Sequence, residues 1–494
     1  MIQKLKKFLS NKIMLYLASR YVVFGVQFLV SLYIVCRLTP FEYGRWSFFS
    51  MLVALLLNFH FGFGTAINIL LIQHKNDQNL CSSYISSGLY MVGATCLIPL
   101  GLIVAVECFH IQYFEKYQLG HNVFLVAVAV AAGYFCNYLS NVFRVHNRIL
   151  ELAVYQSLPV LTTSVMVVFF KGERLLQFLF YGTALSSFLA LAFFFFRRDF
   201  ALEPRFRKEI AENIFRKGIL LFLYDAAFLF ILLSTKTLVS CYYSVNDFGS
   251  FALGYNLANV AVLLSNAIMI LIYPRMVDRL AGADHESNMR AIEFIRKVYI
   301  TFSHGLLYAS MIGFYLLFLF LPKYQGAYRS MVMLSLVLLM YTNACGYNTF
   351  LAAQNREKIL SRFAIVSLFL NVVLVWGLIR FARVPFEIVA SGTLVAYTFF
   401  VLGISLCSMR ILEYRRPFWR KMLEVFPPGL LLPMLFAMAL FRFHDNRLFL
   451  LCLPVFLLLN VKNIFKIAVQ VRQLLLAPQM IDVQYSRPQP NKES

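Results

Sequence analysis

The sequence predicts an all-α polytopic membrane protein with about 14 transmembrane helices, arranged as two pseudo-symmetric six-helix lobes plus two extra C-terminal helices. Three observations predict this. The composition is 60% hydrophobic and only 14% charged, with a mean hydropathy of +0.71, where a soluble chain carries roughly a quarter charged residues. Apolar runs of bilayer-crossing length, roughly 17–25 residues, recur along the whole chain. An internal echo then divides the chain into halves, a common way of building transporters.

The runs lie near 13–36, 45–72, 83–106, 121–143, 150–170, 174–196, 215–241, 247–273, 298–321, 330–352, 360–381, 386–409, 425–441 and 447–466. Each is expected to be helical, because irregular backbone facing lipid would leave amides unpaired. The start, MIQKLKKFLSNK, has the basic character of a signal peptide. The long apolar run behind it lacks a small-x-small cleavage site, which makes it an uncleaved first span. With the N-terminus inside, the cytoplasmic segments hold 32 Lys and Arg and the outside loops 11, while Arg20 and Lys236 lie within spans. This asymmetry orients the chain with both ends cytoplasmic. It also accounts for most of the net charge of +22, which is therefore not a nucleic-acid footprint.

The halves are expected at 1–205 and 206–412, the extra helices at 413–480 and a disordered cytoplasmic tail at 481–494. The echo that defines them starts in the stretch Arg37–Ala66. Glu42 matches Asp247, Tyr43 matches Phe248, Gly44 matches Gly249, Trp46 matches Phe251 and Ser47 matches Ala252, about 205 residues apart. His146-Asn147-Arg148 is echoed by Gln354-Asn355-Arg356 at an offset of 208. Six spans per half is an even number, so both halves enter from the same side, related by an axis along the membrane normal.

The nine cysteines form no C-x-x-C and no His-rich spacing, and read as small apolar packers, so no metal or cofactor is expected. Phosphate-loop, zinc-protease and nucleophile-elbow motifs are absent from the sequence. The outside loops are short, the longest near 107–120, so an enzyme would have little surface outside the lipid on which to hold catalytic groups.

Polar residues inside the spans are the candidates for function, since a charge at the bilayer centre costs about 2.5–3.5 kcal/mol on insertion scales. At helical spacing Arg20, Gln27 and Ser31 share a face of span one, and Asp225, Lys236 and Ser240 a face of span seven. Asn58, Gly62 and Thr65 line span two; Asn256, Asn259 and Asn266 line span eight. Single Asn and Ser residues suit interhelical hydrogen bonding, whereas cations on corresponding spans suit a cavity. Arg20 lies near the cytoplasmic end, where it can snorkel. The Asn137, Asn141, Arg144 and Arg148 stripe of span four fits topology and headgroup contact as well as substrate. His60 fits a hydrogen-bonded core position, with proton handling as the alternative. Asp225 fits either a coupling group or a counter-charge.

These residues also carry a family resemblance. RLTPFEYGRWSFFSMLVALLLNFHFGFGTAI resembles the R-L-L-G-P-E-x-Y-G-x-Y…D-x-G-x-G-T-A signature of the polysaccharide transport family, the Wzx-type O-antigen flippases of the multidrug/oligosaccharidyl-lipid/polysaccharide exporter superfamily. TKTLVSCYYSVNDFGSFALGYNLANV resembles the signature of the second half, and Tyr273-Pro274-Arg275 the F-P-R that ends span eight. Thr235 and Asn256 depart from the pattern, standing where an acid and a cation are frequent. The resemblance implies two six-helix lobes around a cavity that flips an undecaprenyl-pyrophosphate-linked oligosaccharide outward across the bacterial inner membrane, handing it to glycan polymerase or ligase machinery. The polar residues read above are the ones that would line that cavity: Arg20, Gln27, Asn58, Thr65, Lys236, Asn256, Asn259 and Asn266, with Asp225 and His60 as coupling candidates. The alternatives are a lipid II flippase or a multidrug exporter of the same superfamily; the basic lean of the intramembrane charges disfavours an organic-cation cavity.

Overall fold

The computed structural model describes residues 12–464, apart from 75, 110–111, 121, 147, 199, 201, 204, 283–284, 355 and 462. The expected tail at 481–494 lies outside these residues. Helix dominates and no strand occurs among the described residues. The chain is an all-α membrane protein with many spans. In order, the helices are α1 (Lys12–Arg37), α2 (Pro40–Leu57), α3 (Phe63–Gln73), α4 (Gln78–Thr95), α5 (Leu97–Phe109), α6 (Gln112–Lys116), α7 (Asn122–Val145), α8 (Ile149–Phe169) and α9 (Gly172–Arg197). There follow α10 (Lys208–Tyr242), α11 (Val245–Gly282), α12 (His285–Phe320), α13 (Gln325–Thr342), α14 (Tyr347–Ala353), α15 (Glu357–Arg380), α16 (Ser391–Ile411), α17 (Phe418–Val425) and α18 (Pro428–Leu440), then a final helical stretch Asn446–Val461.

Among the described residues, seven helical segments are long and apolar enough to cross a membrane, and the bent pairs Pro322–Thr342 with α14 and α17 with α18 raise the total to nine. Shorter apolar helices at Val22–Arg37, Phe63–Gln73, Ala226–Tyr242 and Asn446–Val461 fall within the remaining expected runs. Two expected continuous spans are interrupted: span two breaks between α2 and α3, and span ten bends by 44°. The expected span at 425–441 is α18, and the 69° bend sets α17 off just before it. Conversely, the expected inside segment 274–297 is nearly all helix, because α11 and α12 run on well past bilayer length.

The chain folds as two compact units, Met1–Leu229 with Ser240–Gly249, and Phe230–Val239 with Ser250–Ser494. In the first unit, the polar residues of the echo prove to cap helix starts, and the first pair is a full capping box. Thr39 accepts the Glu42 backbone N–H while the Glu42 carboxylate accepts the Thr39 N–H at 2.7 Å. Ser244 and Asp247 repeat half of the pairing: the Asp247 N–H donates to Ser244 Oγ at 3.1 Å, while the Ser244 hydroxyl donates to the Asp247 carboxylate at 2.6 Å, so both helix starts have a backbone donor capped by a hydroxyl. Between the capped helix starts the backbones touch. A Cβ on Gly44 would run into the Val245 carbonyl, and one on Gly249 into the Pro40 carbonyl. Pro40 and Val245 are themselves 205 apart, so a local two-fold relates the two contacts.

Three cations that the charge asymmetry treated as orientation signal are structural. Lys116 donates to the carbonyls of Ser240, Cys241 and Tyr243, capping the C-terminus of α10. The buried Arg45 donates to the carbonyls of Tyr117 and Gln118 and pairs with Glu173 at 2.7 Å. In the second unit the buried Arg296 of α12 stacks over the Tyr347 ring at 4.4 Å and donates to the carbonyls of Asn343, Cys345, Glu424 and Val425. At the offset of 208 its counterpart is Gly88, which faces Tyr138, just as Arg296 faces Gly346. The large and small partners have changed sides between the halves, preserving volume. The linker between α9 and α10 lies along α4: the Glu203 N–H donates to Ser86 Oγ, the Arg207 N–H to Ser87 Oγ, and Ser83 Oγ to Glu203.

Candidate functional site

Lys236 stands on α10 within the second unit and is 7% exposed. A Lys on a run as apolar as LLSTKTLVS stays there only if its ammonium finds an electron-rich partner. Its Nζ lies 5.2 Å from the ring centroid of Tyr255 on α11, a cation–π distance. The preceding residue locks the helix. Thr235 Oγ hydrogen-bonds Thr393 Oγ of α16 at 2.7 Å, and Asn371 of α15 donates to Thr235 Oγ, Ser234 Oγ and the Ile231 carbonyl at 3.0, 3.0 and 2.8 Å. Thr235, Asn371 and Thr393 are fully buried. A satisfied buried network of this kind holds neighbouring side chains in place. Thr235 thus serves as a neutral hydrogen-bonding link between helices.

Around Lys236, Asn256 is exposed, and half-buried Asn259 donates to the Tyr255 carbonyl at 2.9 Å. The side chain of Asn266 lies outside the described residues, as do those of Arg20 and Asp225. Ser240, placed by helical spacing on the Lys236 face, is bonded to Tyr113 and belongs to the first unit.

The other candidates gather in the first unit at the break between α2 and α3. Asn58 caps α2 and donates to the Ala54 carbonyl at 2.8 Å. Phe61 and Gly62 both take positive φ, 48° and 71°, so the chain turns within an apolar run. A Cβ on Gly62 would collide with the Gly218 carbonyl of α10. The Gly62 N–H donates to His60 Nδ1 at 3.0 Å; that nitrogen must be unprotonated, leaving the ring proton on Nε2. His60 also borders a small cleft with Thr95, Tyr134, Asn137 and Tyr138. Thr65 and Gln27 are exposed. Asn141, on the polar stripe of α7, donates to the Asn137 carbonyl, and Arg148 pairs with Glu151 at 3.0 Å.

The structure therefore places Lys236 against Tyr255 in one unit, with Asn256 and Asn259 on the same helix as that ring, and Asn58 with His60 at one helix break in the other. Sequence reasoning missed Arg296, counted as a loop charge, and the Thr235–Asn371–Thr393 link. It also missed His304 of α12, which is 1% exposed beside Tyr308 and Phe456, with neither ring nitrogen hydrogen-bonded among the described residues. The sequence signal was a polar letter, beside an apolar run for Arg296 and within one for His304.

No family model matches the sequence, and no curated protein matches it. Solved structures do. One is a lipid II flippase, MurJ, in an inward closed conformation, with a TM-score of 0.60 at 12% identity over 94% of this chain and 100% of that one. The chain has the fold of the MOP-superfamily transporters. An inward-facing multidrug resistance MATE family transporter of that superfamily gives 0.59 at 12% identity, over 79% of this chain and 94% of that one. A MOP superfamily transporter from Pyrococcus furiosus, described as having a binding pocket of reverse polarity, gives 0.50 at 12% identity over 80% and 94%.

Proposed function

We propose that this chain is a flippase that moves an undecaprenyl-pyrophosphate-linked oligosaccharide (an O-antigen, capsule or related repeat unit) outward across the bacterial cytoplasmic membrane by alternating access. The observation that carries the proposal is Lys236. It is a buried cation held on Tyr255 in an apolar helix that a buried network fixes in place. Keeping a charge there is costly, and a pyrophosphate in transit is an anion able to offset that cost through charge-assisted hydrogen bonds. Arg20 on α1 is the second cation in this scheme. Gln27, Asn58, Thr65, Asn256, Asn259 and Asn266 supply hydrogen bonds to sugar hydroxyls, and Asp225 and His60 are the coupling candidates. The lipid tail stays in the bilayer. Translocation breaks no bond, so no catalytic group is required. Both chain ends are cytoplasmic in this orientation, and the six-helix halves divide near residue 205.

A second reading, lipid II as the cargo, is favoured by the likeness to a lipid II flippase that extends over 94% of this chain. The test uses purified protein in vesicles carrying a fluorescent lipid-linked oligosaccharide on the inner leaflet. Protein-dependent exposure of the sugar to an external lectin is expected. Rescue of lipid II flippase depletion without oligosaccharide flipping would shift the assignment to the second reading. Efflux of cationic dyes with no lipid-linked cargo moved would overturn both.

A further inference from the structure

The segment between α16 and α18 has a chemistry that cargo transport does not use. Arg410, Arg415, Arg416 and Arg420 are exposed, with half-buried Lys421 beside them. Within this stretch of sequence Glu413 and Glu424 oppose the five cations, and Glu424 accepts the Tyr414 hydroxyl. Burial, then that hydrogen bond, pushes the Tyr414 hydroxyl up to about 12, so it stays a neutral donor. The helix α17, FWRKMLEV, is strongly amphipathic. At 100° per residue, Phe418, Trp419, Met422, Leu423 and Val425 fall on one side, with Arg420, Lys421 and Glu424 on the other. Phe418, Trp419 and Leu423 are 58%, 77% and 54% exposed. Eight residues span about 12 Å, far too short to cross a bilayer. The helix turns through 69° into the apolar α18. Exposed aromatics on one face and basic residues on the other, next to a span, suit a helix lying in the headgroup boundary.

We propose that α17 and the basic segment before it form a docking site for anionic phospholipid headgroups, and that Arg296 ties this site to the break between α13 and α14. Charge complementarity selects the occupant: clustered Lys and Arg next to a span are attracted to an anionic leaflet, while Trp419 and Leu423 take the acyl boundary. The charge asymmetry of the chain puts this face on the cytoplasmic side. The tie is geometric. Arg296 donates at once to Glu424 and Val425, the C-terminal carbonyls of α17, and to Asn343 and Cys345, the carbonyls at the break. Lipid that holds α17 flat therefore also braces the break, whatever the cargo.

The experiment places the full chain in nanodiscs of phosphatidylcholine containing brominated-chain phosphatidylglycerol and reads Trp419 emission, using Trp419→Phe as the blank. We expect quenching about twofold above that set by the bulk mole fraction of the brominated lipid. The quadruple variant Arg415→Gln, Arg416→Gln, Arg420→Gln and Lys421→Gln should return it to the bulk value. Quenching at the bulk value in the unmodified chain would overturn lipid selection. No quenching at all would mean that α17 is held off the bilayer, by an acidic protein partner or a second copy, and would overturn the proposal too. The tie is read separately by hydrogen exchange. Amides at 343–346 should exchange several-fold more slowly with phosphatidylglycerol than without, and Arg296→Lys should abolish that difference while leaving Trp419 quenching unchanged. Equal exchange in both lipids would refute the tie.

Discussion

Replacing Gly249 with Ala tests the contact between the two capped helix starts. An ideal Cβ there would strike the Pro40 carbonyl and lie 3.0 Å from Gly44 N and 3.2 Å from Gly44 Cα. All three atoms are backbone, so no side chain can rotate away and the helices themselves must part. In a helix interior, Gly to Ala by itself stabilises by about 0.5–1 kcal/mol. Forcing an extra carbon into a closed contact costs about 1–3 kcal/mol. The net expectation is a loss of roughly 1–2 kcal/mol. Gly313 of α12 and Gly377 of α15 have nothing within 4 Å of an added Cβ, so Ala there should leave stability unchanged or raise it. Gly44→Ala should behave like Gly249→Ala. The double variant should cost less than the sum, since helices parted once accommodate both methyl groups. The assay is unfolding of purified protein in a single detergent, by SDS titration or by the monodisperse fraction left after heating. Equal shifts for Gly249→Ala and Gly313→Ala, or strict additivity of the pair, would refute the close-contact argument.

Lys236→Arg should retain most cargo export, while Lys236→Gln at equal protein abundance should lose about 1.5–3 kcal/mol of binding, or roughly ten- to a hundredfold in affinity; a titration of flipping against cargo concentration reads this directly. Asn371→Ala should destabilise by about 1–3 kcal/mol because it strips a donor from Thr235 and Ser234 deep in the protein, and detergent unfolding should show the loss even where export persists. Lys116→Met should uncap α10, and hydrogen exchange should rise at 238–243 while the capped start of α2 at 40–44 remains protected.

The sequence alone determined the fold class and most of the span positions, because the bilayer sets the apolar run length and helix is the form that satisfies the backbone there. It also carried the echo, since Glu42 and Asp247, and Gly44 and Gly249, are matched letters about 205 residues apart. Tertiary structure decided where spans break. Phe61 and Gly62 turn the chain inside an expected span, and the turn is made where Gly62 meets Gly218 across another helix. It likewise decided which charges are structural. Lys116, Arg45 and Arg296 look like any other loop cation in the sequence; their carbonyl partners lie on segments distant along the chain. Lys236 stood out as a polar letter in an apolar run, but Tyr255, Asn371 and Thr393 come from three other helices. Hydropathy measures how each residue partitions between water and lipid, and is blind to which residues meet once the helices have packed.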